Sequence, residues 1–244
     1  MRKLLLLLTA LCCFTLGAKA DGITASTPTG STSGGQSVDA SATFTPGAGT
    51  LTIDLTNLLT AAQVVSVAQN LSDLSFTLDS GTSGSVTSST GTFITVGSGG
   101  AVTSASSTSG SATDLIGWAL TGDGTGDFEL NGLSGSLAGP SQTIIGGAGA
   151  ASYPNGNGSI AGNGPHNPFV QGTGEFVLSI PGVTADTHIS NIVFSFGTTA
   201  GNDVPGVPGS PNTPPGTVPE PGSMVLLATG LIGVAGLIRR KSVR

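Results

Sequence analysis

Residues 37–58 read SVDASATFTPGAGTLTIDLTNL, and apolar and polar side chains alternate on both sides of a proline-glycine turn. The apolar positions are Val38, Ala40, Ala42 and Phe44 before the turn at residues 46–49, and Leu51, Ile53 and Leu55 after it. Because successive side chains of a strand point to opposite faces, a period of two places all of them on one face. The stretch therefore predicts a β-hairpin with one buried face.

The same alternation recurs along the chain, with glycine-rich turns such as TGDGTGD and NGLSG between the candidate strands. The further candidates are residues 74–78, 93–96, 115–120, 128–130, 142–145, 176–180 and 192–196. Many short strands with such turns predict an all-β fold, a β-sandwich or jelly-roll-like ectodomain at residues 21–201. Residues 60–71 suit a short helix and a strand equally, and the Ser/Thr/Gly-rich stretches 80–91 and 97–112 suit hairpin tips, edge strands or loops.

Charge is distributed unevenly along the chain. All 7 basic residues lie near the two ends, and between Asp21 and Ile238 there is no lysine or arginine. No side chain of this central part can therefore neutralise phosphates, form a Schiff base or clamp an anionic substrate. We expect no nucleic-acid partner, and no salt bridge between an acidic residue and a lysine or arginine within the ectodomain.

The N-terminal residues 1–20 have the three parts of a secretory signal peptide. A basic start and the apolar run LLLLLTALCCFTLG precede an A-x-A cleavage site at Ala18 and Ala20. Cleavage after Ala20 removes both cysteines, Cys12 and Cys13. We therefore expect export, and a mature chain without disulfides or cysteine-metal sites.

The C-terminal end combines a spacer, an apolar segment and a basic cluster. Residues 202–217 read NDVPGVPGSPNTPPGT, a proline density that opposes strand pairing and favours an extended linker. Residues 223–238 are uncharged and mostly apolar, and they predict a single transmembrane helix. Arg239, Arg240 and Lys241 follow, and the positive-inside rule places them in the cytoplasm.

Pro219, Glu220 and Pro221 stand before this helix, and a basic cluster at residues 239–244 ends the chain. Together, residues 218–244 resemble the PEP-CTERM sorting signal. The resemblance implies processing by an exosortase-like membrane protease in exopolysaccharide-producing, mostly Gram-negative bacteria. It also implies that the helix anchors the protein in the inner membrane until processing, after which the protein reaches the cell surface or extracellular matrix. The alternative is a permanent single-pass anchor.

The central part offers few residues for catalysis or metal binding. The stretch TGDGTGDFELNG brings together Asp123, Asp127 and Glu129, and the last two would share one face of a strand. These carboxylates are candidate Ca²⁺ ligands or the acid and base of a glycosidase; otherwise they belong to a solvated hairpin turn. His166, in the loop GNGPHNPF, is either a loop-capping side chain or one ligand of a metal or sugar.

We therefore expect a non-enzymatic exported protein without a resident cofactor, unless Ca²⁺ binds, and with a structural or adhesive role in an exopolysaccharide layer. One alternative is a glycan-binding module. The other is a secreted hydrolase that uses Asp123, Asp127 or Glu129. Trp118 and Tyr153 are the only Trp and Tyr, which argues against a broad aromatic platform for sugars, and Trp118 is expected in the core.

Overall fold

The computed structural model describes residues 22–110, 117–133, 140–198 and 202–208. The predicted signal peptide with Ala18 and Ala20, and the whole sorting signal 218–244 with its helix and basic cluster, lie outside these residues. Among the described residues, no helix is long and apolar enough to cross a membrane.

The described residues consist almost entirely of strands and the loops between them. The strands are β1 (Ile23–Ser26), β2 (Thr32–Ser33), β3 (Gln36–Ser37), β4 (Ala40–Gly47), β5 (Thr50–Asn57), β6 (Leu71–Leu78), β7 (Ser85–Val96), β8 (Val102–Gly110), β9 (Ala119–Gly122), β10 (Asp127–Asn131), β11 (Ile144–Ile145), β12 (Phe169–Ser179), β13 (Ile189–Phe196), β14 (Asp203–Pro205) and β15 (Val207–Pro208). Residues 60–71 form neither a long helix nor a strand of their own, because they contain a turn and the 3₁₀ turn Val67–Gln69 before β6 begins. The all-β prediction is confirmed.

The hairpin predicted from residues 37–58 is formed by β4 and β5. These strands pair antiparallel from Ala40 opposite Asn57 to Gly47 opposite Thr50, so the connection is two residues long. Gly49 in this connection has φ +71°, a left-handed conformation that glycine adopts without steric cost. The alternating apolar side chains of both strands are fully buried. The period of two therefore identified the buried face correctly.

In the described residues, one 13-stranded sheet contains all strands except β2 and β3, which pair with each other. Its order is β14-β13-β6-β11-β12-β5-β4-β1-β15, with β10 and β9 added beside β6, and β7 and β8 added beside β12. Strands far apart in this order contribute to one hydrophobic core. Phe44 of β4 meets Phe76 of β6 edge to face, with ring centroids 5.5 Å apart. The sheet therefore folds over onto itself, consistent with the predicted sandwich.

Residues 203–208, which we call the closing segment, correct the predicted linker boundary. Asp203–Pro205 pairs with β13 and Val207–Pro208 pairs with β1, so the prediction that prolines prevent pairing here is wrong. β14 and β15 lie at the two ends of the strand order, and an edge strand tolerates proline because one of its sides makes no ladder. Val204 joins the core. The β-domain therefore extends past residue 201.

The Ser/Thr/Gly-rich stretches form a long hairpin at the side of the sheet. β7 pairs with β12 and with β8, and β8 pairs with β7. Of the alternatives that the sequence left open, β8 is an edge strand among the described residues, β7 lies between β8 and β12, and residues 80–84 form a loop before β7. Hydroxyl side chains suit such a position because a strand half exposed to water needs polar side chains on its outer face.

A second hydrophobic cluster covers part of the outer face of the sheet. Its buried members are Leu59, Val64, Val67, Ile94, Val96, Ile145, Tyr153, Ile160 and Phe169. Ile144 and Ile145 are neighbours on β11 but belong to different clusters, as do Phe169 and Val170 on β12. Because neighbouring side chains of a strand point to opposite faces, this end of the sheet is covered on both faces. The loops after β5 and β11 supply the apolar side chains that cover the outer face.

We expect Phe76→Ala to lower the free energy of unfolding by about 3–5 kcal/mol, because it removes a buried ring and leaves a cavity. Phe76 is 1% exposed and lies 5.5 Å from Phe44 and 5.7 Å from Phe128, measured between ring centroids. Urea denaturation followed by circular dichroism measures the loss. Leu58→Ala is the control, since Leu58 is 47% exposed and its truncation should cost less than about 0.5 kcal/mol. Similar losses for the two variants would contradict a core built on these rings.

Candidate functional site

Asp123 stabilises the turn between β9 and β10. Its carboxylate accepts hydrogen bonds from the backbone N–H of Thr125 at 2.8 Å, from the Thr125 hydroxyl at 2.6 Å and from the backbone N–H of Asp127 at 3.3 Å. The hydrogen bond from the Thr125 hydroxyl is the largest cause that lowers the pKa of Asp123. An aspartate that accepts from the backbone two residues on is a typical turn residue. This geometry fits the interpretation as a hairpin turn.

Asp127 and Glu129 lie on the outer face of β10, since Phe128 and Leu130 between and beside them are buried. The Thr77 hydroxyl donates to Asp127, and the side-chain amide of Asn131 donates to Glu129. The candidate ligands Asp123, Asp127 and Glu129 line one surface depression of about 380 Å³. Within the part of the chain that the structure describes, however, no group of three or more His, Cys, Asp or Glu residues is arranged to hold a metal ion.

The two histidines and Trp118 have structural partners. His166 Nδ1 lies 2.6 Å from the carbonyl oxygen of Ser159, which fits the loop-capping interpretation. The backbone N–H of His188 donates to Asp79 at 3.0 Å. Trp118 is buried as expected; its ring lies 5.2 Å from that of Phe176, and its indole N–H donates to the Gln142 carbonyl oxygen at 3.0 Å.

Asp73 is a buried carboxylate that the sequence analysis did not single out. It lies on β6, opposite Ser195 of β13 and Asn131 of β10, and Ser195 lies opposite Asp203 of β14. Burial is the main cause that raises the pKa of Asp73 to about 6; a hydrogen bond with Ser195 lowers this pKa, and the nearby Glu129 and Asp203 carboxylates raise it further. Since the central chain has no lysine or arginine, no basic side chain there compensates these charges.

A groove crosses the outer face where β12 bulges away from β7. Val170 lies opposite Phe93, and Gly174 lies opposite Gly91. An advance of four residues along β12 therefore matches an advance of only two residues along β7. Gly172, inside the bulge, has φ +75°, and a Cβ there would come within 2.7 Å of the Ala148 side chain. Glycine therefore allows β12 to curve against the loop that follows β11. We call the resulting open cleft, about 490 Å³ in volume, the bulge groove.

Polar side chains from three strands line the bulge groove. They are Asp54 of β5, Thr90 and Thr92 of β7, and Gln171, Thr173 and Glu175 of β12. Asp54 and Glu175 lie directly opposite each other on paired strands. Among the described residues, no hydrogen bond or salt bridge engages either carboxylate. The groove therefore places two carboxylates side by side without a basic partner.

A buried tyrosine holds Gln171 at the edge of the bulge groove. The Gln171 side-chain amide donates to the Ala150 carbonyl oxygen at 2.8 Å and to the Tyr153 hydroxyl at 3.1 Å. The Tyr153 hydroxyl in turn donates to the Gly146 carbonyl oxygen at 2.9 Å. Burial raises the pKa of Tyr153 to about 12, so the phenol stays protonated and keeps this role. Gln171 is thus fixed by the second hydrophobic cluster.

The sequence carried only a partial signal for this groove. Gly172 and Gly174 interrupt β12, and glycines inside a strand pattern indicate a bulge or a close backbone approach. The pairing of Asp54 with Glu175 depends on the register between β5 and β12, strands more than a hundred residues apart, which no local pattern reveals. No local pattern in the sequence therefore predicts this site.

We expect millimolar Ca²⁺ to leave the melting temperature unchanged compared with EDTA. The Asp123 carboxylate is occupied by its own turn, and Asp127 and Glu129 already accept hydrogen bonds from neighbouring side chains. Thermal denaturation in the two buffers provides the measurement. A Ca²⁺-dependent rise that Asp127→Asn abolishes would instead support the metal-site hypothesis.

The raised pKa of Asp73 predicts that stability falls as the pH rises from about 4 to about 7. The folded pKa of about 6 exceeds that of an unfolded aspartate, about 3.9, so the folded state binds this proton more tightly and loses that advantage as Asp73 ionises. At pH 7, Asp73→Asn should be more stable than the wild type by on the order of 1–2 kcal/mol, allowing for solvent screening. Urea denaturation at several pH values measures this.

Asp186→Asn is the control for this pH dependence, because Asp186 is exposed in the loop before β13. It should retain the wild-type decrease in stability between pH 4 and pH 7. If Asp73→Asn retains the same decrease, another group causes it.

Comparisons with known proteins address the C-terminal end. A family model described as the PEP-CTERM protein-sorting motif matches residues 217–241, which confirms the resemblance found in Pro219, Glu220, Pro221 and the segment behind them. No curated protein and no solved structure matches the chain. The match covers only the C-terminal sorting segment, so it assigns no activity to the β-domain. The chain carries a PEP-CTERM protein-sorting motif at residues 217–241, the signal of a surface protein sorted by an exosortase.

Proposed function

We propose that the protein is a processed component of the cell surface or extracellular matrix with a structural or adhesive role in an exopolysaccharide layer. The observation that carries this proposal is the sorting motif at residues 217–241. In this proposal, the signal peptide 1–20 directs export, and the helix 223–238 holds the protein in the inner membrane. An exosortase-like protease then cuts within or beside Pro219–Pro221.

The composition of the exported part supports an extracellular structural role. This part contains Asp and Glu but no lysine or arginine. The whole chain contains 40 glycines. A surface of hydroxyls and carboxylates stays hydrated and, through its net negative charge, keeps copies soluble. A mature chain without cysteine cannot form disulfides under the oxidising conditions outside the cell.

The geometry of the predicted carboxylates favours this role over hydrolysis. Asp123 is engaged by its own turn, and Asp127 accepts from Thr77 on the neighbouring strand. His166 lies against the Ser159 carbonyl oxygen. Each of these groups already has a hydrogen-bond partner within the fold, which argues against its use as a general base. We therefore propose that the protein is not an enzyme.

The intact mass of the protein recovered from the native cell surface and medium tests the proposal. We expect a chain that starts after Ala20 and ends near residues 219–221, with any excess mass reporting an attached group. Glu220→Ala should leave the chain full length in the membrane fraction, because it removes the carboxylate of the recognised tripeptide. Asn212→Ala, in the adjacent spacer, is the matched control and should be processed normally. A native mass that runs through Arg244 would make the protein a permanent membrane protein and refute processing.

A further inference from the structure

We propose that the bulge groove binds an uncharged, polyhydroxylated saccharide segment through Asp54, Glu175 and Gln171. This inference rests on the proposed function, because a matrix component would meet such a ligand in the exopolysaccharide. It adds a binding site and a ligand class to that function. The groove lies on β5, β7 and β12, and it shares no lining residue with the depression at Asp123, Asp127 and Glu129.

The hydrogen-bonding capacity of the groove calls for a ligand rich in donors. The carboxylates of Asp54 and Glu175 offer oxygens that accept hydrogen bonds. Gln171 uses its amide nitrogen on Ala150 and Tyr153, so its carbonyl oxygen is the polar atom left for a ligand. Thr90 and Thr92 each add a hydroxyl, and Thr173 adds one that also hydrogen-bonds to the Thr56 hydroxyl at 2.9 Å. Sugar hydroxyls supply the missing donors, and hydrogen bonds to a carboxylate are about twice as strong as those between neutral groups.

The electrostatic cost of the groove also indicates a function. Like charges directly opposite each other on paired strands destabilise a sheet, and Asp54 and Glu175 are such a pair. No lysine or arginine exists in the central chain to compensate them. Local conflicts of this kind concentrate at functional sites. A β-bulge at the same place is a common means of turning side chains towards a ligand.

The shape and lining of the groove define the ligand class further. Its volume of about 490 Å³ lies within the range of about 300–1,000 Å³ that is usual for ligand sites. The two carboxylates repel uronic acids and sulfated sugars, so acidic polysaccharides are disfavoured. No aromatic residue lines the groove, and without ring stacking we expect a Kd on the order of 0.1–1 mM for a single site. Many copies on one matrix would compensate by avidity.

Titration calorimetry on the full chain in detergent, with empty micelles as the reference, tests this inference. The probes are neutral glucan, mannan and galactan oligosaccharides, together with oligouronates and CaCl₂ alone. We expect at least one neutral oligosaccharide to bind and the oligouronates to give no heat. Asp54→Asn and Glu175→Gln keep the shape of each side chain and should weaken binding at least 10-fold. Both should fold, because they relieve a like-charge contact.

Asp186→Asn is the matched control, since it also removes one exposed carboxylate charge but lies in the loop before β13, outside both surface depressions. It should bind the saccharide as the wild type does. Flat titrations with all neutral oligosaccharides would overturn the inference, as would an equal loss of binding in the control. Binding of Ca²⁺ alone, abolished by Asp54→Asn and unaccompanied by saccharide binding, would also overturn it. A processed surface protein with flat titrations would leave the proposed function standing and remove only the groove.

Discussion

The absence of lysine and arginine between Asp21 and Ile238 is the constraint on which the rest of the structure depends. Without basic side chains, carboxylates have no ionic partners, and folding has to rely on apolar burial and on backbone pairing. The fold meets this constraint with long ladders and a core centred on phenylalanine rings. The few carboxylates that are not fully exposed lie among hydroxyls and amides, as Asp73 lies beside Ser195 and Asn131.

The parts of the fold that could be predicted are those in which local pattern and tertiary burial agree. The alternating apolar side chains on both sides of the turn, Val38 to Phe44 and Leu51 to Leu55, are all buried, so the hairpin followed from the sequence. The closing segment did not, because its prolines suit a linker as well as an edge strand, and only its neighbours β13 and β1 decide between them. A proline shows that its own backbone has no N–H to donate. It does not show whether a neighbouring strand would need that donor.

The candidate sites also divide into those that the local sequence predicts and those that depend on the whole fold. The turn role of Asp123 follows from the sequence around it, because a local hydrogen bond from Thr125 needs no distant partner. The burial of Asp73 and the pairing of Asp54 with Glu175 depend on which strands become neighbours, and strand order is a property of the whole chain. The sorting motif is the opposite case. A membrane protease reads it as a linear segment, so it was recognisable in the sequence without any fold.

The closing segment has a mechanical consequence. β14 extends the layer that contains β13, β15 extends the layer that contains β1, and one glycine joins them. In sequence, β15 is followed by the sorting motif at residues 217–241. Any tension applied from the C-terminal side of residue 208 would act first on the β15–β1 pairing and then on the β14–β13 pairing. Such a load would reach β1 and β13 in succession, and the two strands that transmit it, β15 and β14, are among the shortest in the described sheet.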